Sequence, residues 1–191
     1  MNKENHLIDG DSLAFQAALT GCGQAIDFLT QSNSADIGDL LGCRTDNFDQ
    51  LDNFVAYTGD IIEKKGRLEH SKILVPRGIA KAIGKVYREI SAIDKRVFLE
   101  SFTDNSFISK LGKLYGGRIT SFSIFQSAAW KHSKEFGGFD KVEKLIDARI
   151  QEMTEFILGD DNIQMRHSLI DNYIQLKENL SALGSHFGFS Q

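Results

Sequence analysis

Apolar residues recur along the chain at intervals of three and four, which is the period of an amphipathic α-helix. Residues 12–30 show this period, and a second such segment runs from Asp46 to about Lys65, where Gly66 ends it. We expect the small and polar residues 31–45 between them to form a loop. The apolar positions are Leu13, Phe15, Leu19, Cys22, Ile26 and Leu29 in the first helix, and Phe48, Leu51, Val55, Ile61 and Ile62 in the second.

The next helix is expected to begin at Pro76, because proline suits the first turn of a helix. We expect this helix to break at Ser91 and a short helix to start at Asp94. The pattern is amphipathic, since its polar face carries three basic residues. Its apolar residues are Ile79, Ile83, Val86, Tyr87 and Ile90, and its basic residues are Lys81, Lys85 and Arg88.

Thr103 or Asp104 is expected to cap a further helix, which Gly116–Gly117 interrupts. No charged residue lies between Arg118 and Lys131, so residues 119–130 predict a helix that is buried on nearly all sides. We expect this helix to end at the pair Gly137–Gly138. The helix before the glycines carries Phe107, Ile108, Leu111 and Leu114 on its apolar face.

Two long helices are predicted to complete the chain. Asp140 is expected to cap the first, which Gly159 ends, and the second runs from about Asn162 to Leu183, with Gly184 past its end. The first has apolar positions at Val142, Leu145, Ile146, Ile150, Met153 and Ile157. The fold class is therefore all-α, a bundle of seven to nine helices around the hydrophobic helix at 119–130.

The length of 191 residues suits one domain over residues 1–191, with an ordered core at about 12–183. A net charge of −4 argues against a protein that mainly binds nucleic acid. We find no signal peptide and no stretch of apolar residues long enough to span a membrane. Cys22 and Cys43 could form one bridge, but two buried thiols in a reducing compartment are the simpler interpretation.

Catalytic motifs are not found. The segment Gly78–Lys85 resembles a phosphate loop, but its glycine spacing is wrong and it lies inside an amphipathic helix pattern. The five histidines include no pair spaced four apart, as a helical metal site requires. We therefore expect no enzyme activity, no cofactor and no metal.

Residues 51–62 form a possible recognition helix. Four residues spaced by four, three and four positions share one face, and Gly59 and Asp60 lie beside it. The glycine would allow close helix approach and the aspartate would pair with a cation. An ordinary core helix explains the same pattern. The four residues of the face are Leu51, Val55, Thr58 and Ile62.

A second such segment is Tyr115–Arg118, which directly precedes the uncharged stretch. Glycine lets another backbone approach closely, and Arg118 could hold an incoming carboxylate in a bidentate pair. A loop arginine in solvent explains the residue equally well.

Together these segments resemble the Bcl-two family of apoptosis regulators. Residues 51–62 resemble the third Bcl-homology motif, and 115–125 the first, in which Asn-Trp-Gly-Arg precedes the central helix. Residues 170–176 are similar to the Trp-Asp-x-Phe core of the second motif. Tyr115 and Gly116 replace Asn and Trp, and Ile170 replaces a tryptophan, which suggests a divergent invertebrate or viral member.

The resemblance implies a surface groove that takes the amphipathic helix of a partner. Gly117 would be the close-approach residue and Arg118 would meet the aspartate of the ligand. The partners implied are helical death motifs of pro-apoptotic relatives, with a homodimer or heterodimer as a further possibility, and the effect would be pro-survival. The remaining groove residues would be Ile62, Ile79, Ile83, Phe107, Ile108, Leu111, Thr120, Ser121 and Phe125.

Two alternatives stay open. A pro-death effector of the Bak or Bax kind carries the same motifs and permeabilises the mitochondrial outer membrane. A helical pore-forming toxin domain would also explain the uncharged stretch, although a segment of about 12 residues spans only about 18 Å. The resemblance implies a location in the cytoplasm and at the mitochondrial outer membrane, the latter through a C-terminal tail missing from this sequence.

Overall fold

A computed structural model describes residues 3–30, 77–104 and 106–187 of the chain. These residues form six α-helices and two short 3-10 helices, and they contain no strand. The described part of the protein is therefore all-α, as predicted. The predicted loop at 31–45 and helix at 46–65 lie outside the described residues. The helices are α1 (Lys3–Thr30), α2 (Arg77–Glu100), α3 (Ser106–Tyr115), α4 (Phe122–Lys131), α5 (Phe139–Leu158) and α6 (Ile163–Phe187), with 3-10 helices at Ser133–Phe136 and Asp160–Asn162.

The chain divides into two compact units. Of the described residues, the first comprises 3–30, 77–90 and 167–187, and the second comprises 91–104 and 106–166. The first unit therefore contains α1, the first part of α2 and most of α6. The second contains the end of α2, α3, α4 and α5. The expectation of one domain over 1–191 stays a prediction.

In the first unit, α1 and α6 lie antiparallel. Two contacts show this, since the later residue of α1 faces the earlier residue of α6. Gly184 faces the ring of Phe15 so closely that a Cβ at this glycine would overlap Cζ of that ring. Gly23 faces Lys177, whose Nζ would lie 3.8 Å from a Cβ placed there. The apolar stripe of α1 is confirmed at Phe15, Cys22 and Leu29, which are buried, and α6 buries Leu169, Tyr173, Leu176, Leu180 and Leu183.

Two predictions about helix ends in α2 and α6 are wrong. Ser91 does not break α2, which continues from Arg77 to Glu100, because buried apolar residues continue the stripe beyond it at Val97 and Phe98. Gly184 does not lie past α6, which runs to Phe187. The glycine is an interior residue of the helix whose missing side chain leaves room for the α1 ring.

The core of the second unit is built from phenylalanine rings contributed by α2, α3 and α4. Phe125 of α4 is 1% exposed and lies at the centre of this cluster. Its ring centroid is 5.9 Å from Phe98, 5.9 Å from Phe107 and 6.0 Å from Phe122. Phe107 also packs edge-on against Phe136 of the first 3-10 helix at 4.6 Å. Aromatic pairs at these separations stabilise a core beyond the burial of their area.

The prediction that residues 119–130 form a helix buried on nearly all sides is wrong. The helix begins only at Phe122 and ends at Lys131, and it buries Phe122 and Phe125 while Ser123 and Ser127 are exposed. The two serines lie four residues apart and so share a solvent face. The uncharged stretch is therefore an ordinary amphipathic helix whose polar face carries serine in place of charge.

The pair Gly137–Gly138 follows the 3-10 helix, with φ angles of 94° and 102° that favour glycine. Gly138 immediately precedes α5 and makes no side-chain cap, so the prediction that Asp140 caps this helix is wrong. Asp140 lies in the first turn, where its charge favours the helix dipole. Gly159 ends α5 as predicted, and the stripe is confirmed at Val142, Ile146, Ile150, Met153 and Ile157.

Candidate functional site

The segment that resembles the first homology motif lies at the end of α3. Gly116 adopts a φ of 80°, and the backbone N–H groups of Gly116 and Gly117 both donate to the carbonyl of Gly112, at 2.9 and 3.1 Å. Gly117 therefore closes α3. The sequence pattern suggested instead that this glycine begins α4. The start of α4 is set instead by Ser121, whose Oγ accepts a hydrogen bond from the N–H of Ile124 at 3.4 Å.

The start of α3 is fixed by Asp104, as predicted. The Ser106 N–H donates to Asp104 Oδ1 at 2.9 Å, and this bond holds the pKa of the Asp104 carboxyl below its ordinary value. Thr103, the other predicted cap, donates instead to Glu152 Oε1 at 3.2 Å.

Arg118 lies in the segment between α3 and α4 and is exposed. Within the described part of the chain, Arg118 takes part in no ion pair or hydrogen bond. No Asp or Glu occurs between Asp104 and Glu135 in the sequence. Among the described residues no carboxylate takes up the donors of this guanidinium, which is the group that holds a carboxylate in a bidentate pair.

The other predicted groove residues fall into three groups. Phe107, Ile108, Thr120 and Ser121 are half-buried in the second unit, beside the fully buried Leu111 and Phe125. Ile79, which is half-buried, and Ile83, which is buried, belong to the first unit. The residues of 51–62, which are Leu51, Val55, Thr58, Gly59, Asp60 and Ile62, lie outside the described residues.

The segment 170–176 that resembles the second motif lies within α6. Tyr173 and Leu176 are buried and belong to the core of the first unit, whereas Asp171 and Ile174 are exposed. Asn172 is also buried, and its Nδ2 donates to the carbonyl of Ser168 at 2.8 Å.

Sequence reasoning missed a buried arginine on α5. Arg149 is 4% exposed, and its guanidinium donates to the carbonyl of Phe98 at 2.7 Å and to that of Ser101 at 3.3 Å. It also donates hydrogen bonds to Ser101 Oγ and to the carboxylate of Glu152. The guanidinium stacks on the Phe102 ring, with Cζ of Arg149 3.3 Å from the ring centroid. Burial lowers the pKa of Arg149, and the Glu152 carboxylate opposes this effect. This arginine caps the C-terminal end of α2, so we regard it as structural.

Sequence reasoning also missed how unevenly charge is distributed. Residues 77–134 contain eleven Lys or Arg and four Asp or Glu, while the rest of the chain contains eleven basic and twenty-two acidic residues. A window count of charges would have found this contrast. The middle of the chain is strongly basic although the protein as a whole is acidic.

The described residues contain no group of three His, Cys, Asp or Glu side chains arranged to bind a metal ion. None of the helices in these residues is both long and apolar enough to cross a membrane.

The chain was compared with models of protein families, with curated proteins and with solved structures, and no match was found. The resemblance to the Bcl-two family therefore depends on the motifs alone.

Proposed function

We propose that this protein is a regulator of apoptosis that binds amphipathic helical death motifs and is not an enzyme. The proposal includes the finer fold, in which seven to nine helices form the bundle of the Bcl-two family and residues 46–65 supply one of them. It places the activity in the cytoplasm and at the mitochondrial outer membrane.

The observation that carries the proposal is Arg118. It is an exposed guanidinium that has no ion pair or hydrogen bond with the residues that the structure describes, and it follows the glycine turn after α3 in a stretch of sequence free of carboxylates. Such a group recognises a carboxylate, and bidentate pairing gives it orientation as well as charge.

Apolar side chains beside Arg118 would hold the rest of the ligand. On α3, Phe107 and Leu111 and then Leu114 are separated by four and three residues and so share a face. Leu114 is 37% exposed and Tyr115 is 45% exposed, so apolar surface remains available next to the arginine. Leu111 is fully buried and Phe107 packs in the core. A ligand helix would therefore place its apolar anchors on Leu114 and Tyr115 and its aspartate on Arg118.

We further propose that the effect is pro-survival. A protein that sequesters the death motifs of its relatives prevents them from acting elsewhere. The pro-death effector carries the same motifs, and dye release distinguishes the two. The purified protein should release no dye from liposomes, even with an activator peptide, whereas release would assign the effector role.

Calorimetric titration with death-motif peptides of about 26 residues, roughly seven helical turns, tests the binding proposal. We expect at least one peptide to bind with a Kd below about 1 μM. Arg118→Ala should weaken that binding by about 2 kcal/mol or more, roughly thirtyfold.

Lys144→Ala is the matched control, because Lys144 is an exposed basic residue of α5 in the same unit. It should leave the affinity unchanged. A loss of less than about tenfold in Arg118→Ala, or an equal loss in the control, would argue against the role of Arg118.

A further inference from the structure

The turn after α3 presents a continuous run of exposed residues. All six residues from Lys113 to Arg118 are exposed, including the apolar side chains of Leu114 and Tyr115. We call residues 113–118 the basic turn. Leu114 is 37% exposed and Tyr115 is 45% exposed, so a large part of each side chain faces solvent.

Every charged residue between Asp104 and Glu135 in the sequence is basic. Lys113 and Arg118 flank the two apolar residues, and Lys110 lies one turn earlier on α3, with its Nζ 5.2 Å from the centroid of the Phe136 ring. Along the sequence the nearest carboxylates are Asp104 and Glu135. The turn therefore combines a concentrated positive charge with exposed hydrocarbon.

We propose that the basic turn docks on the surface of an anionic lipid bilayer. Lys110, Lys113 and Arg118 would lie at the level of the anionic headgroups, which attract each basic residue near the surface. Leu114 would enter the boundary of the acyl chains, and Tyr115 would place its ring there and its hydroxyl among the headgroups. This is peripheral attachment and requires no spanning helix.

The combination favours a bilayer over a nucleic acid. Phosphate contacts use basic and polar side chains, and a leucine at the tip of the turn has no partner on a phosphate backbone. Tyrosine prefers the interface between water and lipid, where one end of the ring is apolar and the other is wet. The bilayer and the ligand helix would use the same side chains, so the two proposals are tested separately, here with a probe that contains no peptide.

Vesicle sedimentation with the full chain tests the proposal. Binding to phosphatidylcholine vesicles that contain about 30% phosphatidylserine is compared with binding to phosphatidylcholine alone. We expect binding only to the anionic vesicles, and we expect it to fall steeply between about 0.1 and 0.5 M salt because the attraction is screened.

Two variants separate the charge from the hydrocarbon. Lys113→Glu reverses one charge and should lower the partition coefficient by more than about fivefold. The double variant Leu114→Ser with Tyr115→Ser should also lower it by about fivefold or more, with Arg118 intact. Far-UV circular dichroism should show unchanged helix content in both, because the substituted side chains are exposed.

Lys144→Glu and Ile174→Ser are the matched controls, since Lys144 is exposed and Ile174 is 39% exposed, close to the 37% of Leu114. Lys144→Glu should weaken binding by less than half the effect of Lys113→Glu, and Ile174→Ser should leave it unchanged. Equal binding to neutral vesicles, no binding, or equal losses in variants and controls would overturn the proposal. Retention of a single-stranded oligonucleotide, lost in the same variants without vesicle binding, would assign the turn to nucleic acid instead.

Discussion

Replacing Arg149 should destabilise the second unit more than any exposed basic residue does. Its guanidinium is buried and holds the carbonyls of Phe98 and Ser101 at the end of α2, together with the carboxylate of Glu152. Arg149→Ala leaves two buried carbonyls without this donor and opens a cavity against the Phe102 ring. A buried acceptor left without its donor costs about 1–3 kcal/mol, and we expect a loss of at least this size.

Urea unfolding followed by tryptophan fluorescence measures this loss in the correct unit. Trp130 is the only tryptophan of the chain and belongs to the second unit, where its ring is 5.7 Å from that of Phe139. The midpoint should move to a lower urea concentration. The slope of the unfolding free energy against urea concentration should stay constant, which shows that the stability changes and the surface exposed on unfolding does not.

Arg96→Ala is the matched control for Arg149→Ala. Arg96 pairs with Glu100 at 2.7 Å on the same end of α2, but its side chain is 62% exposed. An exposed pair contributes about 0–1 kcal/mol, so this variant should hardly change the midpoint. An Arg149→Ala loss no larger than that of Arg96→Ala would refute the assignment of Arg149 as the buried cap of α2.

Two further predictions concern Gly184 and Asp104. Gly184→Ala should destabilise the first unit by about 1–3 kcal/mol in thermal unfolding, because a Cβ there would overlap the buried Phe15 ring, and Phe15→Leu should relieve part of the loss. A stabilised variant would contradict this contact. The pKa of the Asp104 carboxyl is lower in the folded protein than its unfolded value near 3.8. The carboxylate therefore stabilises the fold at pH values above 3.8, and this stabilisation is lost as the pH falls through the folded pKa. The difference in stability between wild type and Asp104→Asn should therefore shrink in acid, and a difference that is constant with pH would contradict it.

The sequence predicts helices well where an apolar stripe and a terminal glycine agree. In α5 both signals are present, and the structure confirms the stripe and the end at Gly159. Ser91 and Gly184 are misjudged because each was interpreted as a local break. Tertiary packing decides these positions: α2 has apolar partners on both sides of Ser91, and Gly184 is required by the ring of Phe15.

The buried arginine was missed although the sequence contained a signal. Arg149 lies three residues after Ile146 and four before Met153, and therefore on the apolar stripe of α5. A single basic residue on such a stripe is typical of a buried cap or an ion pair. Which carbonyls it caps follows only from the packing of α5 against the end of α2.

The role of Arg118 stays a prediction, and the structure corrects only the helix boundaries around it. Arg118 is exposed beside a glycine turn, as the sequence suggests, yet Gly117 closes α3 and does not open α4. The side chain of Ser121 decides where α4 begins, because its Oγ accepts the hydrogen bond that caps the helix. Other polar residues nearby could cap a helix equally well, so the sequence alone does not identify Ser121.

A charge-swap cycle on Arg118 tests the central claim most directly. The affinity of the best-binding peptide is measured for wild type and for Arg118→Asp, each with the native peptide and with a peptide whose aspartate is replaced by arginine. If the two groups pair, each single change weakens binding by about tenfold or more and the double change restores most of it, with a coupling of about 1.5 kcal/mol or more. Losses that simply add, with a coupling within about 0.5 kcal/mol of zero, would contradict the proposal that Arg118 binds the aspartate of the ligand.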